Sequence, residues 1–175
     1  DKFGRKKPLI ILLVIYIIST VLIVFSSNIE MMIVLRVIQG LSSAGSVVIS
    51  RAIATDLYRG REMTRFFGLL MTINGLAPII SPILGSLLLE YISWKGVFVF
   101  LALIGVIVLI FSFRLKESLS AENRLQGSIF ATFSTFGVII KNRLFMSYVG
   151  IESFLLGAMF AYIAVSYTHL TLPTT

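Results

Sequence analysis

The amino-acid sequence predicts an all-α protein, a polytopic helix bundle that crosses a membrane about five times. Of its 175 residues, 57% are hydrophobic, and its mean hydropathy is +0.99. Soluble proteins usually contain about 45–50% apolar residues. Five separate stretches are long and apolar enough to span a bilayer. Because lipid offers no partner for backbone N–H and C=O groups, these stretches are expected to be helices.

The predicted spans follow one another along the chain, and the connections between them alternate in charge. The spans cover residues 9–25, 31–54, 66–89, 97–113 and 144–165. Basic residues cluster before the first span and in the second and fourth connections, whereas the first and third connections hold one lysine between them. The positive-inside rule therefore places the basic connections in the cytoplasm. We expect a multi-pass protein of the bacterial inner membrane.

Composition argues against several other classes of protein. The chain has no cysteine and one histidine, His169, so no thiolate or histidine-rich metal site is expected. The net charge of +7 would suit nucleic acid, but the charges lie between apolar runs, as in membrane proteins. No phosphate-binding glycine loop and no set of residues suited to a hydrolase site is present. We therefore expect no enzyme activity, no cofactor and no nucleic-acid partner.

A short basic segment with a glycine at its centre precedes the first span. It consists of Asp1, Lys2, Phe3, Gly4, Arg5, Lys6 and Lys7, and Pro8 follows it. A complete basic loop before the apolar run argues against a signal peptide.

The second span carries an arginine well inside it. Arg36 lies in a segment of otherwise apolar residues, and Gln39 and Gly40 follow it on nearly the same helix face. A charge in the bilayer is costly unless it faces a cavity or a partner, so it indicates a functional site. Anchoring to neighbouring carbonyl groups and snorkelling to the outer interface are the alternatives. Small residues favour close helix packing, with a role in lining a substrate site as the alternative; they are Gly40, Ser42, Ser43, Ala44, Gly45 and Ser46.

The third span contains residues that disturb helices. Gly75, Pro78, Pro82 and Gly85 interrupt an apolar run. Proline removes a backbone hydrogen bond and kinks a helix axis. The segment is predicted to be either a hinge or a static kink.

Two further sets of charged residues are candidates. Arg51 and Asp56 flank the inner end of the second span as interfacial anchors and possible gate partners, with a solvated pair as the alternative. Glu152 is an acid inside the fifth span. An apolar environment favours the protonated carboxyl, which could then take part in proton coupling. Exposure at the interface is the competing interpretation.

These motifs, taken in order, resemble the major facilitator superfamily. The opening segment resembles the second half of the loop between its helices 2 and 3, and Arg36-x-x-Gln39-Gly40 resembles its helix-4 motif. The third span resembles its helix-5 antiporter motif, although Ser81 and Ser86 depart from that pattern. The series, which continues through Ser93-Trp94 to Lys116-Glu117-Ser118, is most similar to helices 3 to 7 of Bcr/CflA-type multidrug/proton antiporters.

The resemblance implies alternating access and export of small amphipathic compounds or drugs in exchange for protons. It implies that Asp1, Gly4, Arg5 and Lys6 form a cytoplasmic gate loop, and that Arg36 couples transport to protons. It divides the chain into residues 1–114, the rest of a six-helix half; 115–143, a central cytoplasmic loop; and 144–164, the first helix of the second half. Missing helices of the same transporter would then be partners, and the 175-residue chain alone is expected to be inactive.

Two segments remain ambiguous, and two rival functions remain open. Residues 128–140 are amphipathic and predict a helix on the membrane surface, with a flexible linker as the alternative. Residues 165–175 resemble a read-through adaptor, so a non-native tail is expected rather than a polar loop. The rival functions are a sugar or metabolite symporter or uniporter of the same superfamily, and a membrane scaffold that transports nothing.

Overall fold

Every regular element in the described part of the chain is an α-helix. The computed structural model describes residues 4–119, 137 and 139–169. The helices are α1 (Lys6–Val24), α2 (Ile29–Leu57), α3 (Gly60–Tyr91), α4 (Trp94–Arg114) and α5 (Arg143–His169). All five are long and apolar enough to cross a membrane, which confirms the predicted membrane helix bundle.

The helices extend beyond the apolar runs that predict them. The arginine-rich connection shrinks to Tyr58 and Arg59, because α2 ends at Leu57 and α3 begins at Gly60. A helix satisfies its own backbone groups in lipid and in water alike, so polar residues at a membrane surface can continue it. Tyr58 stacks on Phe66 of α3, with ring centroids 4.9 Å apart, and this contact closes the tight connection.

The α3 helix runs unbroken through Pro78 and Pro82. None of its residues is buried, and a Cβ atom added at Gly75 or Gly85 would meet nothing within 4 Å. The described packing therefore does not require glycine at either position. The hinge remains a prediction.

Helix α1 lies at the centre of the bundle. It packs against both α2 and α4, and α3 packs against α4. Close approach to α2 occurs at Gly45, where an added Cβ would lie 2.7 Å from Leu12 Cδ1. A small core of Ile23, Leu35 and Phe98 joins α1, α2 and α4. The interpretation of the small residues of α2 as packing residues thus fits Gly45.

The chain divides into two compact units, Asp1–Leu125 and Gln126–Thr175. Helices α1 to α4 belong to the first unit, and α5 belongs to the second. The predicted surface helix over residues 128–140 lies outside the described residues except at 137, 139 and 140, which are helical. Helix α5 continues to His169, past the start of the predicted non-native tail, and residues 170–175 lie outside the description.

Candidate functional site

Polar side chains tie three helices together at one end of the first unit. We call Arg5, Lys6, Asp56, Glu117 and Ser118 the basic-end cluster. Arg5 Nε lies 3.2 Å from Asp56 Oδ2, and both side chains are about four-fifths buried, with exposures of 20% and 22%. Ser118 Oγ donates a hydrogen bond of 3.3 Å to the same oxygen. Asp56 at the end of α2 therefore joins the start of α1 to the segment after α4.

Glu117 caps the first turn of α1. Its carboxylate accepts hydrogen bonds from the backbone N–H groups of Arg5, at 2.7 Å, and Lys6, at 3.3 Å. Lys6 Nζ in turn donates to the carbonyl oxygen of Phe113, near the end of α4, at 2.8 Å. An anion at a helix start and a cation at a helix end both interact favourably with the helix dipoles. The segment after α4 thus supplies a carboxylate to the start of α1, and α1 supplies an ammonium group to the end of α4.

Gly4→Ala is expected to destabilise this end of the bundle more than Gly60→Ala does. Both glycines have a positive φ, +80° and +56°, so alanine at either position costs about 1 kcal/mol of backbone strain. A Cβ at Gly4 would also lie 2.5 Å from Glu117 Oε2, whereas one at Gly60 would meet nothing within 4 Å. Displacing the carboxylate weakens its hydrogen bonds to α1, at a further cost of about 1 kcal/mol because water competes at this exposed site. Thermal unfolding in detergent measures the difference.

Comparison of Gly4 with Gly60 separates the cost of backbone strain from the cost of displacing the Glu117 carboxylate. In a Glu117→Gly background the carboxylate is gone, so Gly4→Ala should lower the unfolding temperature by no more than Gly60→Ala does. Equal effects of the two alanine substitutions in the native background would show that Glu117 moves aside without loss.

A second polar group lies within the apolar part of α1, α2 and α4. Arg36 Nη1 donates to Gln39 Oε1 at 3.1 Å. Gln39 Nε2 donates to Thr20 Oγ1 of α1 at 2.7 Å, and Thr20 Oγ1 donates to the carbonyl oxygen of Tyr16 at 2.6 Å. Thr20 is fully buried, and Gln39 is 4% exposed. Arg36, which is itself exposed, is thereby connected to α1 through a chain of hydrogen bonds whose inner members are buried.

An aromatic ring of α4 supports the same guanidinium group. Arg36 Cζ lies 4.6 Å from the centroid of the Phe98 ring, a cation–π distance. Phe98 is buried and meets the Trp94 ring edge to face, with centroids 6.0 Å apart. We call Arg36, Gln39, Thr20 and Phe98 the Arg36 network.

All partners of Arg36 in this network are uncharged. Among residues 4–119, 137 and 139–169, no carboxylate lies within ion-pair distance of Arg36. A hydrogen bond to an amide and a contact with an aromatic ring hold the cation in place without neutralising it. The arrangement therefore presents a fixed positive charge on a helix that is apolar enough to cross a membrane.

A cleft of about 690 Å³ opens between α1, α2, α3 and α4. Its walls are mostly apolar, with polar groups from all four helices. These are Tyr16, Ser43, Ser46, Ser50, Arg51, Asn74 and Ser112. Ser43 and Ser50 follow Arg36 at intervals of seven residues, so they lie on nearly the same face of α2. The cleft thus continues the face of α2 that carries the arginine.

The structure brings together some of the sequence-predicted residues. Arg36 and Gln39 are in contact, and Asp56 pairs with Arg5 of the opening segment. Gly40 is exposed and makes no close approach. Glu152 is exposed on α5, in the other compact unit. Asp1 lies outside the described residues.

Sequence reasoning assigned no role to Thr20, Phe98 or Glu117. Thr20 had a readable signal, because the adjacent hydroxyl residues Ser19 and Thr20 interrupt the apolar run of α1. Glu117 is distinguished in the sequence only as the middle residue of the Lys116-Glu117-Ser118 motif. Phe98 had no distinguishing signal, since it is one of 14 phenylalanines in the chain.

A set of long apolar helices, with an arginine held by an amide and an aromatic ring on one of them and a charged cluster at one end of the first unit, defines a multi-pass membrane protein. The sequence comparisons specify its family. The family model of the Major Facilitator Superfamily matches residues 1–174, and the chain belongs to that superfamily.

Relatives from several bacteria match most of this chain. An uncharacterized MFS-type transporter, YdgK of Bacillus subtilis, is 38% identical over 167 residues, which cover 94% of this chain and 42% of the relative. A bicyclomycin resistance protein homolog of Haemophilus influenzae is 30% identical and covers 93% of this chain and 41% of the relative. The chloramphenicol resistance protein CraA of Acinetobacter baumannii is 30% identical over 61% of this chain and 26% of the relative. The chain thus spans less than half the length of these relatives.

Proposed function

We propose that this chain forms part of a secondary transporter that exports small amphipathic compounds or drugs in exchange for protons, by alternating access. The observation that carries the proposal is the charge of Arg36 on a membrane-spanning helix, held by an amide and an aromatic ring with no carboxylate beside it among the described residues. Relatives named for resistance to bicyclomycin and to chloramphenicol support export of drugs. A passive membrane scaffold has no use for such a charge, which is costly in lipid.

A fixed cation can couple a proton to a conformational change. A positive charge within a few ångström favours the ionised form of a carboxyl group, so a carboxyl that approaches Arg36 releases its proton. When the carboxyl moves away into an apolar environment, it takes up a proton again. Rocking of two transporter halves provides such approach and separation. Glu152 of α5 is proposed to take part in proton coupling, and Gln39 and Gly40 are proposed to belong to the coupling site of Arg36.

The cleft beside α2 supplies part of a transport cavity in this proposal. Its volume of about 690 Å³ lies in the range of small-molecule sites, and its apolar walls with scattered hydroxyl groups suit amphipathic compounds. Further helices of the same transporter would complete it. The cleft and Arg36 lie on nearly the same face of α2, and the first cleft residue on that helix, Ser43, follows Arg36 by about two turns.

The basic-end cluster is proposed to be a cytoplasmic gate. Its residues Arg5 and Lys6 belong to the opening segment with Asp1 and Gly4, and the basic residues of that segment favour the cytoplasmic face of a bacterial inner membrane. Closure of this end requires that α1, α2 and α4 keep a fixed arrangement, which the Arg5–Asp56 pair and Glu117 provide. Gly75, Pro78, Pro82 and Gly85 of α3 are proposed as the hinge that accompanies opening.

Proton-driven export is tested in proteoliposomes that contain a complete transporter with these 175 residues. With an acidic lumen in inverted vesicles, we expect uptake of ethidium, chloramphenicol or bicyclomycin that stops when a protonophore removes the pH gradient. The 175-residue chain alone is expected to transport none of them, because it spans less than half the length of its relatives.

The control separates antiport from the rival transport modes. Empty liposomes and liposomes with the transporter but no gradient define the background. Uptake that is unaffected by the protonophore would indicate a uniporter, and uptake that follows protons in the same direction would indicate a symporter. Absence of transport for all substrates, including sugars, would favour the scaffold.

A further inference from the structure

We propose that Thr20 of α1 and Phe98 of α4 are positioning residues that fix the direction of the Arg36 guanidinium group and so set the proton dependence of transport. This inference rests on the proposed function of Arg36. In this inference, residues of α1 and α4 orient an arginine that belongs to α2. Both residues are buried, at 0% and 5% exposure, so neither is expected to contact the transported compound.

Thr20 determines which way the Gln39 amide points. A hydroxyl group has one proton to donate, and Thr20 donates it to the Tyr16 carbonyl oxygen. Its oxygen can then only accept from the amide, and it accepts from Gln39 Nε2 at 2.7 Å. With the amide nitrogen held on this side, Oε1 faces Arg36 and accepts from Nη1. A flipped amide would turn its N–H₂ group toward the guanidinium, which has only donors.

Phe98 supports the guanidinium from another direction. Its ring is held by the core residues Ile23 and Leu35 and by the edge of Trp94. The guanidinium carbon lies 4.6 Å above the ring centroid, where the negative face of the ring attracts the cation. Gln39 and Phe98 thus constrain the group from two sides. Although the Arg36 side chain is exposed, these two contacts favour one position of its planar group and hence of its charge.

The alternative is that Thr20 and Phe98 only pack the helices. A purely structural role would lower folding yield or thermal stability without altering how transport depends on pH. A positioning role moves the charge of Arg36 relative to the proton-carrying carboxyl, so the pH at which transport is half-maximal shifts. The apparent affinity for the drug then remains close to the native value.

Two pairs of variants test the inference in the complete transporter. Thr20→Val keeps the side-chain shape and removes the hydroxyl, whereas Thr20→Ser keeps the hydroxyl. Phe98→Leu removes the aromatic face, whereas Phe98→Tyr keeps it. We expect Thr20→Val and Phe98→Leu to lower the maximal rate of proton-driven ethidium export about tenfold and to shift its pH profile, because each weakens one of the two contacts that orient the guanidinium group. Thr20→Ser and Phe98→Tyr should restore most of the rate and the native profile.

The outcomes distinguish this inference from the proposed function. If Arg36→Ala abolishes transport while Thr20→Val and Phe98→Leu both keep the native rate and pH profile, the positioning role is wrong and the role of Arg36 stands. If Arg36→Ala itself transports normally, the proposed function is wrong. If Thr20→Val fails to fold, the Phe98 pair decides: an unchanged pH profile in Phe98→Leu overturns the inference, and a shift reversed in Phe98→Tyr supports it.

Discussion

Arg36→Ala is expected to abolish proton-driven drug export while the transporter still inserts into the membrane. Truncation removes the fixed charge that the Gln39 amide and the Phe98 ring hold in place. It also makes α2 more apolar, and an arginine within a span disfavours insertion, so insertion should not suffer. Ethidium export from cells, together with the amount of protein in the membrane fraction, measures both effects.

A matched arginine serves as the control. Arg61→Ala removes the same side chain from an exposed position in the first turn of α3, where it is expected to change export by less than twofold, as for most surface substitutions. Drug resistance at the native level in cells with Arg36→Ala would remove Arg36 from the mechanism.

Arg36→Lys tests whether transport requires only a positive charge or also the shape and direction of the guanidinium group. Lysine keeps the positive charge, but its ammonium group has neither the planar fork nor the stacking surface of a guanidinium. If the charge alone couples transport to protons, Arg36→Lys should retain most of the activity. If the direction imposed by Gln39 and Phe98 matters, it should resemble Thr20→Val, with a lower rate and a shifted pH profile.

The five membrane helices could be predicted from sequence because lipid imposes one rule on every span. A segment must be about 20 residues long, apolar and internally hydrogen-bonded, and each of these properties is local in sequence. The helix ends could not be predicted in the same way. Asp56 and Arg61 were expected in a loop, yet both are helical, because the membrane surface tolerates charged residues within a helix.

The Arg36 network likewise contains one contact that the sequence predicts and others that it does not. The contact between Arg36 and Gln39 follows from a spacing of three residues within one helix, so the sequence predicts it. Thr20 and Phe98 come from other helices, and their contacts depend on how α1 and α4 are aligned against α2. That alignment arises from core packing around Ile23 and Leu35, which has no simple signature in a single sequence. The pairing of Arg5 with Asp56 is non-local for the same reason.

Asp56→Arg is expected to reduce transport at least tenfold, because it breaks the basic-end cluster and places a second cation beside Arg5. The native pair is about four-fifths buried, with 3.2 Å between Arg5 Nε and Asp56 Oδ2, and Asp56 also accepts from Ser118. Removal of one partner from such a charged, hydrogen-bonded site costs about 2 kcal/mol, between the values for exposed and fully buried pairs. Initial rates of ethidium export, corrected for the amount of protein in the membrane, give the measurement.

The reciprocal exchange shows whether the pair itself is responsible. In the double variant Arg5→Asp with Asp56→Arg, opposite charges face each other again, and aspartate at the N-cap position of α1 is itself favourable. The carboxylate of Glu117 lies close to the backbone of residue 5 and repels the new acid, so we expect partial recovery of transport. Glu62→Arg makes the same change of charge on the exposed first turn of α3 and should have little effect. If the double variant is as inactive as Asp56→Arg while Glu62→Arg is active, the Arg5–Asp56 contact is not what holds the gate.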